Sequence, residues 1–307
     1  MIKRYIAEKD TTITNAYGIG NITRATGSNA GAADSLEVFA LYGNESVGSL
    51  EKSRILIQFP VDSIISDRSI GDLPTSGNVN FYIKMYDVAH VETTPKQYTL
   101  EVSPVTTQWD EGHGLDLDTY LDPGIGSFGL GANWINARSS SSGPVAWSTA
   151  GGDYASTPRY TQYFEEGFED LEVDITGLVE QWIAGTKQNY GVGIALTASQ
   201  ENQANSTISY FTKKFSARSC EYYFARPIIE ARWDDSKKDQ RENFFLSSSN
   251  ASATDNLNTI YFYNYVRGQL KDLPGFGQGS ELFVRAYESR SVGSEITTTP
   301  SSPITGS

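Results

Sequence analysis

The stretch Ser53-Arg-Ile-Leu-Ile-Gln-Phe-Pro-Val61 places Ile55, Ile57, Phe59 and Val61 at every second position. Successive side chains of a strand point to opposite faces, so this spacing gives one apolar face and one polar face. Pro60 has no amide hydrogen for a ladder and marks the edge or exit of the strand. Val79 to Tyr86 repeats the pattern, with Val79, Phe81, Ile83 and Met85 together. Tyr98 to Val102, Val192 to Leu196, Ile208 to Phe211 and Ile228 to Trp233 are further strands, separated by clusters of Gly, Ser, Asn and Pro. Many short strands punctuated in this way predict an all-β chain, a jelly-roll-like β-sandwich, rather than a βαβ arrangement.

One short helix is expected among the strands, Gly177 to Ala184, with Asp174 or Thr176 as N-cap and Gly185 ending it in a left-handed conformation. Leu178, Val179, Trp182 and Ile183 form its apolar stripe. So short a helix is unstable alone, so it must lie against the sandwich, capping an open end of the core. Leu115 to Glu166 differs from its surroundings: it is rich in Gly, Ser and Asp, carries Trp134 and Trp147, and is too long for an ordinary connection. The charged run Asp234-Asp-Ser-Lys-Lys-Asp-Gln-Arg-Glu242 marks a boundary. The expected organisation is a sandwich over residues 1–233, a linker over 234–256, and the start of a second β domain over 257–307. Thr259 to Val266 and Glu281 to Tyr287 supply its strands, and the tail from Thr297 to Ser307 is low in complexity. Two or three strands do not close a sandwich, so this unit is either incomplete or completed by a partner chain.

Hydrophobic residues make up 38% of the 307 and aromatics 12%, enough for a sizeable core despite a mean hydropathy of -0.38. A formal net charge of -13 repels phosphate backbones and anionic lipid, which points away from nucleic acid and membranes and toward proteins or neutral glycans. With Cys220 as the single cysteine no disulfide forms within the chain, and a buried thiol is the expectation. Met1 to Asp10 turns charged before any apolar signal-peptide run develops, and no later stretch approaches a membrane span.

Motifs that carry chemistry are sparse. Gly124-Ile-Gly126-Ser-Phe-Gly129 has the spacing of a dinucleotide loop but lacks the strand before and the helix after that the site needs, so it reads as a glycine loop. Asp116, Asp118 and Asp122 are candidate oxygen ligands for Ca²⁺, yet the sixth position is Leu121 and the twelfth Ser127, which favours a solvated loop. No other cofactor is implied. The two histidines, His90 and His113, exclude a multi-histidine zinc site. Glycosidases need only two carboxylates, and Glu165, Glu166, Glu169, Asp170, Glu172 and Asp174 cluster, but alternation puts Glu172 and Asp174 on a solvent face. No catalytic residue and no enzymatic activity are expected.

Glycan binding requires exposed aromatic faces, and the candidates are Trp134, Trp147, Tyr154, Tyr160 and Tyr163. The competing reading is that Trp134 and Trp147 tether their long loop by burial. Tyr261, Tyr263 and Tyr265 alternate along one strand face and are candidates for an assembly interface.

Several elements, in order, resemble the DNRLRE-type β-sandwich, a family related to disaggregatase repeats and to certain carbohydrate-binding modules. Asp10-Thr-Thr-Ile13 looks like the opening strand, Asn29-Ala-Gly31 and Leu36-Glu-Val38 like the next element, and Arg54-Ile-Leu-Ile-Gln-Phe59 like the characteristic strand. Trp109-Asp-Glu-Gly112 is similar to the family's turn, and Val173-Asp-Ile-Thr176 through Trp182, Gly185, Asn189, Gly191 and Leu196 to its most specific block. Arg226-Pro-Ile-Ile229 resembles the start of the last strand, whereas Tyr42 to Lys52 and Leu115 to Glu166 are insertions. Together with the second β unit, this resembles virion structural proteins of contractile-tailed marine cyanophages. The resemblance implies a tail, neck, baseplate or fibre component that assembles with copies of itself and other virion proteins. The alternative it implies is a carbohydrate-binding module recognising host surface polysaccharide.

Overall fold

The computed structural model describes residues 1–18, 24–42, 50–89, 95–115, 131–201, 209–235, 248–252, 256, 258, 261, 263–266, 269–270, 281–282 and 304–305. The chain divides into two compact units, Met1–Asp235 and Ser236–Ser307. In the first, the elements run β1 (Ile2–Ile6), β2 (Lys9–Thr14), β3 (Ser35–Leu41), β4 (Glu51–Gln58), α1 (Val61–Ser69), β5 (Asn80–Met85) and β6 (Tyr98–Pro104). They continue with β7 (Asn136–Ser140), β8 (Gly143–Ala146), β9 (Tyr160–Phe164), β10 (Leu171–Asp174), α2 (Thr176–Ile183), β11 (Val192–Leu196), α3 (Ala198–Glu201), β12 (Tyr210–Ser216) and β13 (Ile228–Arg232).

Two antiparallel sheets face each other. One has the order β1-β13-β5-β10, the other β12-β3-β4-β11-β6-β9 with β2 also paired to β4. Phe81, Ile83 and Met85 of β5, with Val173 and Ile229, meet Leu36, Val38, Ile55, Ile57, Leu100, Val102 and Ile194 from the opposite sheet in one buried core. The all-β sandwich expected from the alternation is therefore the fold, with the sheets curled toward each other at both margins. On one side Ser216 and Lys214 of β12 bond to Tyr86 and Val88, just beyond β5. On the other, Gln162 of β9 acts as a surrogate peptide: its amide nitrogen donates to Asp170 O and its oxygen accepts from Glu172 N, both at 2.7 Å. Those bonds occupy the free edge of β10, which would otherwise present unpaired backbone groups.

The expected helix is α2, and its apolar residues Leu178, Val179 and Trp182 lie in the core as predicted. Gly185, at φ +68°, takes the left-handed position; its amide bonds Trp182 O and that of Thr186 bonds Gln181 O, each at 3.0 Å, which together form a Schellman motif. The start differs from expectation. Ile175 holds the cap position, and Asp174 accepts from the amide and hydroxyl of Thr176 from one residue further out. A second helix, α1, follows directly on Pro60, so Val61 leaves the strand face it was assigned and becomes the first helical residue. Arg68 of α1 and Glu180 of α2 join the two helices through paired 2.7 Å bonds.

The alternation is incomplete at the decisive strand. Leu56 shares the supposedly polar face with Arg54 and Gln58, yet it is fully buried, as are Ile55 and Ile57 on the other face. Leu56 belongs to a second core with Ile13, Val105, Trp109, Ala132, Trp134, Ala137 and Trp147. The described part of the long insertion folds over the outer face of the sheet. The edge of β4 is shared: β2 takes positions 53–58, and β3 only 51–52. Where β3 departs, hydroxyls stand in for the ladder, Thr12 accepting from Glu37 N (3.0 Å) and Ser53 from Phe39 N (2.9 Å).

In the second unit, β14 (Tyr265–Val266) pairs with β15 (Gln269–Leu270) and β16 (Glu281–Leu282) with β17 (Ile304–Thr305). The expected strand Thr259 to Val266 is shorter than its alternation suggested: only Tyr265–Val266 is strand, and Tyr261, Tyr263 and Asn264 lie outside any strand, while residues 283–287 of the other expected strand lie outside the described residues.

Leu56→Ala opens a cavity in the second core and is expected to lower unfolding free energy by about 2–5 kcal/mol in urea titrations. A solvent-facing leucine would leave it within about 0.5 kcal/mol.

Candidate functional site

The second core is organised around one arginine. Arg54 projects from the outer face of β4, and its Nε and Nη2 meet the buried carboxylate of Glu201 on α3 while Nη1 donates to Gly151 O at 2.8 Å. Its guanidinium lies 5.3 Å from the Trp134 ring centroid and 5.5 Å from that of Tyr154, a cation–π arrangement on both sides. Burial works against the charge, but the Glu201 bonds prevail and raise the Arg54 pKa further. Burial also pushes Tyr154 up to about 12, against the opposing pull of Arg54. Tyr154 fits because β11 has Gly193 beneath it: a Cβ there would come within 2.1 Å of the ring.

The motif residues are tethers. Asn29 makes four bonds, donating to Glu111 O and Ala132 O (2.8 Å each) and accepting from Gly31 N (3.1 Å) and Gly114 N (2.9 Å). Asn189 donates to Phe59 O and accepts from Gly191 N, which holds the end of β4. Trp109 Nε1 donates to Tyr190 O at 2.8 Å, and Trp147 Nε1 to Asn133 O at 2.8 Å. The Trp109-Asp-Glu-Gly112 turn continues this theme. Glu111 receives both Nε and Nη2 of Arg218, at 3.0 and 2.8 Å, and the amide of Asp10 at 2.9 Å. Asp10 is 1% exposed and accepts from the amide of Arg218. Burial, opposed by that bond and reinforced by neighbouring Glu111, raises its pKa to about 7.

Beyond Arg218 the chain turns outward. Tyr222, Tyr223 and Phe224 are 74%, 57% and 81% exposed, on a 3-10 turn spanning Tyr223–Ala225. Sequence reasoning passed them over because three consecutive aromatics cannot share a strand face. That failure of alternation, beside Arg226-Pro227, is the signal by which they could be found.

The expected site residues fare differently. Trp134 and Trp147 are 8% and 5% exposed, so they are not open stacking faces. The reason is that Ile13 and Leu56 make the outer sheet face apolar and these indoles cover it. Tyr154 packs against the same core and Tyr160 against the main one; Tyr163 keeps an exposed ring. Tyr261, Tyr263 and Tyr265 form a row with successive ring centroids 6.5 and 6.3 Å apart, and Tyr263 and Tyr265 are exposed. Asp116, Asp118 and Asp122 lie outside the described residues, as do His90 and the Gly124 to Gly129 loop. His113 is exposed and Cys220 half-buried rather than buried. Glu172 and Asp174 face solvent as expected, and Glu169 accepts the amides of Glu166 and Gly167. Among the described residues no three His, Cys, Asp or Glu gather as a metal site, and no helix is long and apolar enough to cross a membrane.

Scanned against family models the sequence matches none, and no curated protein matches it.

Arg54→Met leaves Glu201 buried without its cation and is expected to cost about 3–5 kcal/mol, with most of the loss recovered in Arg54→Met combined with Glu201→Leu. Urea unfolding of the three proteins measures both. Asp10 makes a separate, pH-dependent contribution. Its folded pKa of about 7 lies above the unfolded value of 3.8, so the folded state binds the extra proton and stability falls as pH rises between these values. Asp10→Asn keeps an acceptor for Arg218 N. It should exceed the parent at pH 8 by up to about 4 kcal/mol and converge with it below pH 4, as thermal unfolding across pH will show.

Proposed function

We propose that this chain is a non-catalytic assembly protein, a structural component of a phage virion that works through contacts with other proteins. The observation carrying this reading is the contrast between interior and surface. The arginines, asparagines and indoles of the motifs are engaged within the fold, whereas Tyr222, Tyr223 and Phe224, with Tyr263 and Tyr265, turn their rings to solvent. Large exposed aromatics are enriched where proteins bind one another. The virion setting comes from the sequence resemblance to tail-associated β-sandwich proteins, and a net charge of -13 supports a partner other than nucleic acid.

Of the rings assigned to the carbohydrate-binding alternative, the two tryptophans are buried in the second core and Tyr163, 54% exposed on the edge strand β9, is the open one.

Purified virions of the phage that encodes the chain decide the matter. Mass spectrometry is expected to find it in fixed proportion to the other particle proteins, and cryo-EM to place its sandwich at symmetry-related sites. Particles that lack it overturn the assignment. Binding to a host polysaccharide on a glycan array that disappears in Tyr163→Ala would put the alternative in its place.

A further inference from the structure

We propose that the buried amine of Lys213 and the side-chain carboxyl of Asp87 condense into an intramolecular isopeptide bond, a covalent staple between β12 of the second sheet and the segment that follows β5 of the first. The bond belongs to the sandwich itself and does not depend on what the chain assembles with.

The two residues lie where the sheets meet. Asp87 forms an antiparallel bridge with Phe215 of β12, flanked by bonds from Ser216 N to Tyr86 O at 3.0 Å and from Val88 N to Lys214 O at 3.1 Å. Lys213 is thus the diagonal neighbour of Asp87 across that pairing, and its Nζ reaches the carboxylate Oδ1 at 2.5 Å. Asp87 is held from a further side, its amide donating to Asp170 Oδ1 at 2.8 Å. Oδ1 is one bond of about 1.2 Å from Cγ, which puts Nζ within about 3.7 Å of the carbon it attacks, near the roughly 3–3.5 Å of a near-attack arrangement.

The surroundings prepare the amine as a nucleophile. Lys213 has 1% of its side chain exposed, and its Nζ lies 5.1 Å from the ring centroids of both Phe164 and Phe215, which keep water from it. Burial lowers its pKa, against the pull of Asp87, Glu169 and Asp170. Passing one proton from the ammonium to the carboxylate leaves an amine with two N–H groups, and two carbonyls are in place to accept them, Glu169 O at 2.7 Å and Gly167 O at 3.2 Å. The nitrogen lone pair is then turned to the third partner, the Asp87 carboxyl. Attack of Nζ on Cγ forms the C–N bond; the nitrogen gives up a proton, the Cγ–OH bond breaks, and the two leave together as one water. Nothing is oxidised or reduced, so no further reactant is needed. Asp87 keeps 21% of its side chain exposed, which gives that water a way out.

Free amines and carboxylates in dilute water stay ionised and apart, whereas groups fixed in contact gain an effective molarity on the order of 10⁵ M or more. The chain holds one cysteine, Cys220, so no disulfide within it ties the sheets together, and an amide does so in any redox setting.

Intact-mass spectrometry of the purified full chain tests the bond. The parent is expected to be lighter than its sequence by one water, and its tryptic digest to contain a branched peptide joining the segment with Asp87 to the segment with Lys213. Lys213→Met removes the nucleophile and Asp87→Ala the electrophile, so each is expected to show its full sequence mass. A parent that keeps its full mass after prolonged incubation overturns the proposal, and so does a lost water that persists in both variants or that the digest places at any other pair of residues. The deciding readout is the mass of the parent, which holds whether or not the variants fold.

Discussion

No residue of the strand Glu51–Gln58 is exposed, since both of its faces are at least partly covered, and the rest of the sandwich is arranged around that constraint. Ile55 and Ile57 on one side and Leu56 on the other are fully buried, and Arg54 between them is held by ion pair, carbonyl and two aromatic rings. A two-layer sandwich supplies one cover. The second has to come from the chain connecting β6 to β9, which is why a long insertion carries indoles. The edges are equally constrained: β2 and β3 divide one, β11 occupies the other, and Gly191, at φ +79°, lies so near Ile57 that a Cβ would fall 2.1 Å from its carbonyl oxygen. Any larger residue there pushes β11 off its neighbour.

Charges are buried in both sheets, and those of Arg54, Lys213 and Glu230 are met by local pairing. Lys213, with 1% of its side chain exposed, donates to the Asp87 carboxylate and to the carbonyls of Gly167 and Glu169, between the rings of Phe164 and Phe215. Burial still lowers its pKa. Glu230, on the outer face of the first sheet, is covered by Arg4 and Arg232; burial opposes its charge but their bonds hold its pKa below the ordinary carboxylate range. Asp10 and Glu51 lack such a cation: the Arg218 guanidinium near Asp10 is already committed to Glu111, and Glu51 accepts from Tyr17 N while its Oε1 has no hydrogen bond. Breaking one partner in these groups is expensive because the other stays buried. The polar residues thereby serve register and closure.

Much of this was legible in the sequence because period-two alternation reports directly on a half-buried strand. Phe81, Ile83 and Met85 identified β5, and Gly185 marked the end of α2 through its left-handed turn. The short helix α1 escaped notice because Val61-Asp-Ser-Ile-Ile-Ser is rich in β-branched and serine residues, which are poor helix formers, and follows a strand without a linker. Leu56 was the visible clue to the second core, a single apolar residue on a polar face, but alternation assigns faces and not what covers them. Trp134 and Trp147 illustrate the same limit: an indole in a loop has one composition whether it faces solvent or a sheet. Tyr222 to Phe224 fall outside every periodic pattern, and that break in alternation was their one mark in the sequence before their exposure was known.

Amide hydrogen exchange tests the two-core organisation most directly. Trp134 N bonds Thr26 O, Trp147 N bonds Ile135 O and Gly151 N bonds Trp134 O, all within the layer over Leu56. If that layer is core, these amides exchange as slowly as those of Ile55 and Ile57, through the same cooperative opening. Fast exchange across residues 131–151, with β4 still protected, would mean an ordinary loop lying on a two-layer sandwich and would contradict the account.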